Sequence, residues 1–246
     1  GGRRMNLETQ VKHYDKEYRN GNALITDKEF DELEKKLFSL KPESDYFKQK
    51  LVLPSIEKDT IDNFITGLDK DEDIVLEPKI DGCAVAIEYK DGKISRAITR
   101  KGKDITEKMI RIKTIPLQVP TKKTIQVRGE LFADFGYGQI KQGDGAKSQR
   151  IAAGYLRSGS YDPNPKLTFF AFQIINSKMN QWDALFSLKD IGFETFVRSL
   201  VPAYSIKEGH IRWFKTNYPT DGIVLKINDY KLQQARPYKW QIAIKE

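Results

Sequence analysis

One short stretch holds the residues best suited to chemistry: Glu77-Pro78-Lys79-Ile80-Asp81-Gly82. An amine stands between two carboxylates, after the apolar run Ile74-Val75-Leu76 and before the alternating segment Cys83–Tyr89. A lysine held at the end of a strand is suited to nucleophilic attack on a phosphorus or carbonyl centre. Further along, charge interrupts apolar strands again. Val127-Arg128-Gly129-Glu130 carries a carboxylate, while Asp221-Gly222-Ile223-Val224-Leu225-Lys226 and Trp240-Gln241-Ile242-Ala243-Ile244-Lys245 each carry a lysine. Singly, Glu130 reads as a solvated strand end, and Lys226 and Lys245 as lysines snorkelling from an edge strand. Phe172, on a strand with Phe169 and Phe170, reads singly as core. If these strands converge, one nucleophile, two accessory cations and a metal-suited carboxylate share a site. That set suits phosphoryl-type transfer, in which positioned cations hold the charge on phosphate oxygens.

The elements that must position these groups follow from periodicity. Residues 6–20 read as a helix with Asn6 as N-cap. Thr26-Asp27-Lys28-Glu29 is a capping box, followed by Phe30, Leu33, Leu37 and Leu40 at helical spacing. These two helices form a small N-terminal unit, so the expected division is 1–50 and 51–246, with 41–58 as a linker. Residues 59–68 are a further short helix. From residue 72 the period changes to two, and Asp91-Gly92 predicts a type I′ hairpin turn. Residues 101–110 read as a loop. Strands are expected near 124–131, 167–175, 221–228 and 239–245, and helices near 148–157, 179–189 and 205–217. The last opens with a second capping box, Ser205-Ile206-Lys207-Glu208. The class is α+β: antiparallel sheets with packed helices, preceded by a small helical subdomain.

Composition narrows the partners. Lys+Arg 42 against Asp+Glu 34 gives +8, compatible with a polyanionic partner. A single cysteine, Cys83, excludes an internal disulfide and a cysteine zinc cluster in these 246 residues. No stretch reads as a secretory leader or membrane span, so a cytoplasmic protein with no membrane association is expected.

The ordered set of motifs resembles the adenylation domain of NAD+-dependent DNA ligases of bacterial or phage type. The Glu77–Gly82 stretch resembles the nucleotidyltransferase signature. Thr99-Arg100, Val127–Glu130, Leu167–Phe172, Asp221–Lys226 and Trp240–Lys245 resemble the motifs that follow it, in the family's order. The resemblance implies a nucleotidyltransferase, ATP-grasp-like ligase core and assigns the catalytic roles to Lys79, Asp81, Lys226 and Lys245. It places Ser55, Ile56, Glu77, Val224 and Phe172 around adenine, and Arg100 at the ribose-phosphate. Glu130, and by its place Asp81, are candidates for ribose or metal contact, with Mg2+ or Mn2+ as the ion. The N-terminal unit resembles the one that recognises the nicotinamide mononucleotide (NMN) half of NAD+. There Asp27 and Asp31 match an acidic pair, Phe30 stands where tyrosine is usual, and Tyr18 falls near a Tyr-His pair.

Two departures stand out. The glycine-rich loop after Arg100 is contracted to Lys101-Gly102-Lys103-Asp104. The family's Arg-Asn-Ala-Ala-Ala-Gly run reads Gln149-Arg150-Ile151-Ala152-Ala153-Gly154, so either Gln149 or Arg150 fills the arginine position, while Arg157 matches a second arginine. The expected chemistry is attack of Lys79 on the α-phosphorus of NAD+, release of NMN, and transfer of AMP to the 5′-phosphate of nicked double-stranded DNA. Family members continue into OB-fold, zinc and helix-hairpin-helix domains, so a second chain or further domains are expected to complete ligation. Two alternatives remain: an ATP- or GTP-using nucleotidyltransferase such as an RNA ligase or capping enzyme, and a non-catalytic nucleic-acid-binding module.

Overall fold

The structure is a computed structural model describing residues 5–50, 56–175, 177–236 and 239–245, without the side chains of residues 19 and 48–50. Helices α1 (Leu7–Arg19) and α2 (Asp27–Leu40) begin as their sequences dictate. The Asn6 side chain accepts from the Thr9 amide at 2.9 Å. Thr26 and Glu29 make the reciprocal capping box, at 2.8 and 3.2 Å. Val11 and Leu37 from these helices pack on Tyr46 and Phe47. The last two belong to α3 (Asp45–Lys50), which lies inside the stretch expected to be linker. Two adjacent aromatics, one of them donating from Tyr46 Oη to Glu34 at 2.7 Å, complete the small helical core. Helix α4 (Ile61–Ile65) follows, capped by Thr60.

The remaining chain builds two four-stranded antiparallel sheets. Their strands are β1 (Asp73–Ile80), β2 (Cys83–Lys90), β3 (Lys93–Thr99), β4 (Ile125–Ala133), β5 (Leu167–Ile174), β6 (Leu200–Pro202), β7 (Thr220–Ile227) and β8 (Gln241–Lys245). One sheet has the order β6-β1-β7-β8 and the other β3-β2-β4-β5. The hairpin between β2 and β3 turns at Asp91 and Gly92, with φ of 49° and 78°, as a type I′ turn requires. Asp81-Gly82 is a different kind of connection: it carries the chain from the first sheet to the second. A Cβ at Gly82 would lie 2.2 Å from the Leu131 carbonyl oxygen, so this crossing demands glycine.

Alternation along the strands separates two cores from the face between them. Ile74 and Leu76 of β1 join Ile223, Leu225, Ile242 and Ile244 in one buried cluster. This cluster is covered by α4 and by α8 (Glu208–Asn217) through Phe64 and Phe214. Val85, Ile87 and Tyr89 of β2 join Val127, Leu131 and Phe169 in the other. Helices α5 (Thr106–Met109), α6 (Asp144–Arg157) and α7 (Gln181–Asp190) supply Met109, Ala152 and Leu185 to it. Helix α9 (Tyr230–Ala235) follows β7.

Two local expectations are corrected. Residues 101–110 contain α5, because Ile105 and Met109 are drawn into the core. Ser205 caps no helix; its hydroxyl donates to the Pro202 carbonyl at 2.9 Å within the turn Ala203–Ser205. The cap of α8 is Lys207, whose amide donates to His210 Nδ1 at 3.1 Å. Strand β6 was not anticipated, being three residues long. No helix among the described residues is long and apolar enough to cross a membrane.

Candidate active site

A cleft of about 910 Å³ lies between the two sheets, and the side chains singled out above meet in it. Residues at odd positions of β1 face away from the Ile74–Leu76 core, which turns Glu77 and Lys79 toward the cleft. The same alternation turns Val224 and Lys226 of β7 and Lys245 of β8 inward. The second sheet contributes Glu130 from β4, Phe172 from β5 and Arg100 just beyond β3. Ile56 also lines the cleft; its segment runs beside β8, where the Ala243 amide donates to the Glu57 carbonyl at 2.8 Å. Ser55 lies outside the described residues.

Two bulges aim key side chains. Pairing of β1 with β7 shifts between Pro78 and Ile80, so Lys79 stands opposite the extra residue in Asp221-Gly222. Pro78 falls where β1 has lost its β6 neighbour, which is where a strand tolerates a missing N–H. The Thr220 hydroxyl donates to the Lys79 carbonyl and fixes the Lys79 backbone. On the other sheet, Arg128 pairs with Gln173 and Gly129 with Ala171, leaving Phe172 as the unpaired bulge residue. Phe172 faces the cleft on the side that Phe170 shares with Glu130, and the bulge brings Gln173 to the cleft beside it.

The electrostatics are tight. Lys226 Nζ lies 2.6 Å from Glu77 Oε2, with both side chains buried, and 5.5 Å from the centroid of the Phe172 ring. Gln181 Nε2 donates to the Phe172 carbonyl at 2.9 Å and approaches Glu77 Oε2 at 3.4 Å. Burial pushes the Glu77 carboxyl above the usual range, and Lys226 opposes that. Lys226 is therefore no solvated edge residue: it lies on a strand flanked by β1 and β8. Nor is Glu130 a strand end. It sits mid-strand, where burial pushes its carboxyl up to about 8 against the pull of Lys79 and Arg100. Lys245 pairs with Asp221 at 2.7 Å. Burial, then Asp221, raises the Asp81 carboxyl, with Lys79 and Lys245 pulling it down. Asp81 does not line the cleft but lies beneath it, against the first turn of α6. A Cβ at Gly145 would lie 2.3 Å from Asp81 Oδ2.

Among the described residues, two buried polar atoms of the cleft lining have no hydrogen-bond partner, Glu77 Oε1 and Arg100 Nη2. Buried polar atoms are rarely left so, and an acceptor and a donor here suit a polar ligand. Among the described residues no cluster of three or more His, Cys, Asp or Glu could hold a metal by itself. A single carboxylate such as Glu130 fits Mg2+ only when substrate phosphates supply further oxygens, which is the ordinary habit of that ion.

Known proteins with this sequence pattern settle the family. Residues 30–245 match the model of the NAD-dependent DNA ligase adenylation domain. The chain belongs to this family. A DNA ligase of Fervidobacterium nodosum is 32% identical over 206 residues, covering 72% of this chain and 30% of that protein. A DNA ligase of Borrelia hermsii is 30% identical, covering 93% and 37%, and one of Thermosipho africanus is 29% identical, covering 91% and 43%. The chain thus spans less than half the length of these relatives. Among solved structures, Pmar-Lig_Pre superposes with a TM-score of 0.50 over 92% of this chain and 52% of that one, at 12% identity, a likeness of fold alone.

Within this NAD-dependent adenylation domain, the helical unit reaches the cleft at Tyr18. Tyr18 Oη accepts a hydrogen bond from Lys101 Nζ, which lies 4.7 Å from the Tyr18 ring centroid. Asp27 is exposed at the start of α2, Asp31 is half-buried, and Phe30 packs against the small helical core. On α6, Gln149, Ala153 and Arg157 line the cleft, whereas Arg150 is exposed and does not. Gln149 thus holds the cleft-facing position. Sequence reasoning did not pick out Gln181 or Thr220, whose hydrogen bonds depend on pairing across more than a hundred residues and leave no local signature.

Proposed function

We propose that this domain transfers AMP from NAD+ to its own Lys79 and that the bound AMP is destined for the 5′-phosphate of nicked DNA. The observation that carries this reading is the convergence of Lys79, Arg100, Glu130, Lys226 and Lys245 on one cleft with an aromatic wall. The neutral Lys79 amine forms an N–P bond to the α-phosphorus as the pyrophosphate P–O bond breaks. The electron pair leaves on the phosphate oxygen of NMN, and the amine proton passes to water. Lys226 and Lys245 offset phosphate charge. Phe172 stacks the adenine, Val224 and Ile56 close its apolar faces, and Glu77 Oε1 accepts from its amino group. Arg100 holds the ribose-phosphate. Glu130 with the substrate phosphates would hold Mg2+ or Mn2+, which supplies charge stabilisation in the transition state. Tyr18, Asp27, Phe30 and Asp31 hold the NMN half, so residues 1–50 and 51–246 act as a recognition unit and a catalytic unit. Asp81, held against α6, orients the Lys79 turn. Ser55 is assigned to the adenine pocket with Ile56 on sequence alone.

The test is intact-protein mass after incubation with NAD+ and Mg2+. The expected result is one added AMP on the wild type and none on Lys79→Ala. An adduct on Lys79→Ala, or none on the folded wild type, overturns the proposal. ATP in place of NAD+ is expected to give no adduct. Sealing of nicked DNA belongs to a chain or complex that carries the family's further domains, and this domain alone is expected to stop at the adenylated lysine.

A further inference from the structure

Lys101 is not among the residues the motifs assign, yet it touches both parts of the molecule. It lines the cleft that holds Lys79. Its ammonium also reaches α1, bonding Tyr18 Oη and lying 4.7 Å from the centre of that ring. Its backbone is fixed. The Gly102 amide donates to the Thr99 carbonyl at 2.9 Å, the Thr99 amide to the Lys103 carbonyl at 2.9 Å, and the Ile105 amide to the Ala97 carbonyl at 2.9 Å. Gly102, with φ of 81°, closes this turn. Lys101 therefore stands at the tip of a tight turn continuous with the β3 edge, two residues from Thr99, next to Arg100. Hydrogen bonding to Tyr18, and the nearby Asp27 carboxylate, hold its ammonium above the usual lysine range, so it is charged at neutral pH.

We propose that Lys101 is a specificity-determining residue for a dinucleotide donor: with Tyr18 it seats the phosphate of the departing mononucleotide. This rests on the reading of the cleft as the site of Lys79 adenylation. The chemistry calls for a cation there. The phosphate of the mononucleotide is charged both before and after the pyrophosphate P–O bond breaks, and a preplaced donor on that side binds it in the donor and in the released product alike. Arg100 serves the phosphate that stays with Lys79, and Lys101, one residue on, is directed away toward the helical unit. Tyr18 gives the ammonium a fixed position through its hydroxyl and its ring. A base-bearing mononucleotide can lie across the same helix face, whereas an inorganic pyrophosphate leaving group carries nothing to occupy it.

Two rates on the full chain test this. In the forward direction, adduct formation is followed by intact mass against NAD+ concentration. In the reverse direction, adenylated protein is treated with NMN and the loss of adduct is followed. Lys101→Ala is expected to raise the half-saturating concentrations of NAD+ and of NMN by the same factor, roughly tenfold or more for one charge-assisted contact. The rate at saturating NAD+ falls less. Lys101→Arg restores most of the affinity. Tyr18→Phe combined with Lys101→Ala is no worse than Lys101→Ala alone, because the two act as a unit. A Lys101→Ala protein whose NAD+ and NMN dependence match the wild type overturns the proposal, as does a loss confined to the saturated rate. If the wild type forms no adduct, the adenylation reading fails by itself. Calorimetric binding of NMN to wild type and Lys101→Ala then still decides the role of Lys101, equal affinities overturning it.

Discussion

Replacing Lys226 with methionine isolates the buried charge at the heart of the cleft. The substitution keeps an unbranched apolar stem of similar length and removes the ammonium 2.6 Å from Glu77 Oε2. The side chains are 5% and 1% exposed, so water does not replace the lost partner. Breaking a buried pair from one side costs about 3–5 kcal/mol, since the remaining charge stays desolvated. For a chain of this size that corresponds to a fall in Tm of roughly 6–20 °C. The acid dependence carries the sharper signature. Burial already raises the Glu77 carboxyl, and Lys226 is the largest influence pulling it back. Without Lys226 the folded-state pKa rises further. A carboxyl whose folded pKa exceeds its unfolded value stabilises the fold fully below the unfolded value and loses that contribution as pH rises through the folded one. The deficit of Lys226→Met is therefore small near pH 4 and grows toward neutrality. Urea unfolding of wild type, Lys226→Met, Glu77→Gln and the double variant at several pH values measures this. The double variant is expected to be more stable than Lys226→Met at pH 7. A Lys226→Met deficit below about 1 kcal/mol, one independent of pH, or a double variant no better than the single refutes the reasoning.

Two further outcomes follow from other buried groups. Burial raises the Glu130 carboxyl to about 8, so its contribution to stability is present at acid pH and is lost as pH rises through that value; Glu130→Gln is expected to flatten this part of the stability–pH curve in cation-free buffer, measured by urea unfolding at pH 6 and 9. Lys108 donates to the Tyr155, Ser158 and Ser160 carbonyls at 2.6, 2.6 and 2.8 Å, capping the C-terminal end of α6. Lys108→Met is expected to cost about 2–4 kcal/mol and to speed amide hydrogen exchange at residues near the end of α6, with exchange in β7 unchanged.

Much of this was legible in the sequence, for identifiable reasons. Asp91-Gly92 declared its turn because few other pairs adopt two positive φ values without cost. Lys79, Glu130, Lys226 and Lys245 stood out because charge inside an apolar period-two run must be explained. What escaped were consequences of register. Glu77 and Lys226 are adjacent because Val75 pairs with Lys226 and Glu77 with Val224, a relation absent from either segment alone. Gln173 reaches the cleft beside Phe172 only through a bulge that leaves no trace in its own strand, whose plain alternation would turn it to the other side. Met109 in α5 was passed over because its helix is a single turn, too short to show a period.

The crossing at Asp81-Gly82 has a mechanical consequence. The lysines ride on one sheet, while Glu130, Arg100 and Phe172 ride on the other, and each sheet is anchored in its own core. The distance between Lys79 and Arg100 is therefore a joint tolerance, set by how the two sheets seat against each other. A change of side-chain volume deep in either core, far from any ligand, would translate into misalignment at the reacting atoms. On the proposed function, distant repacking and rate are in that sense geared together through the two crossings of the chain, Asp81-Gly82 and the segment from β5 to β6.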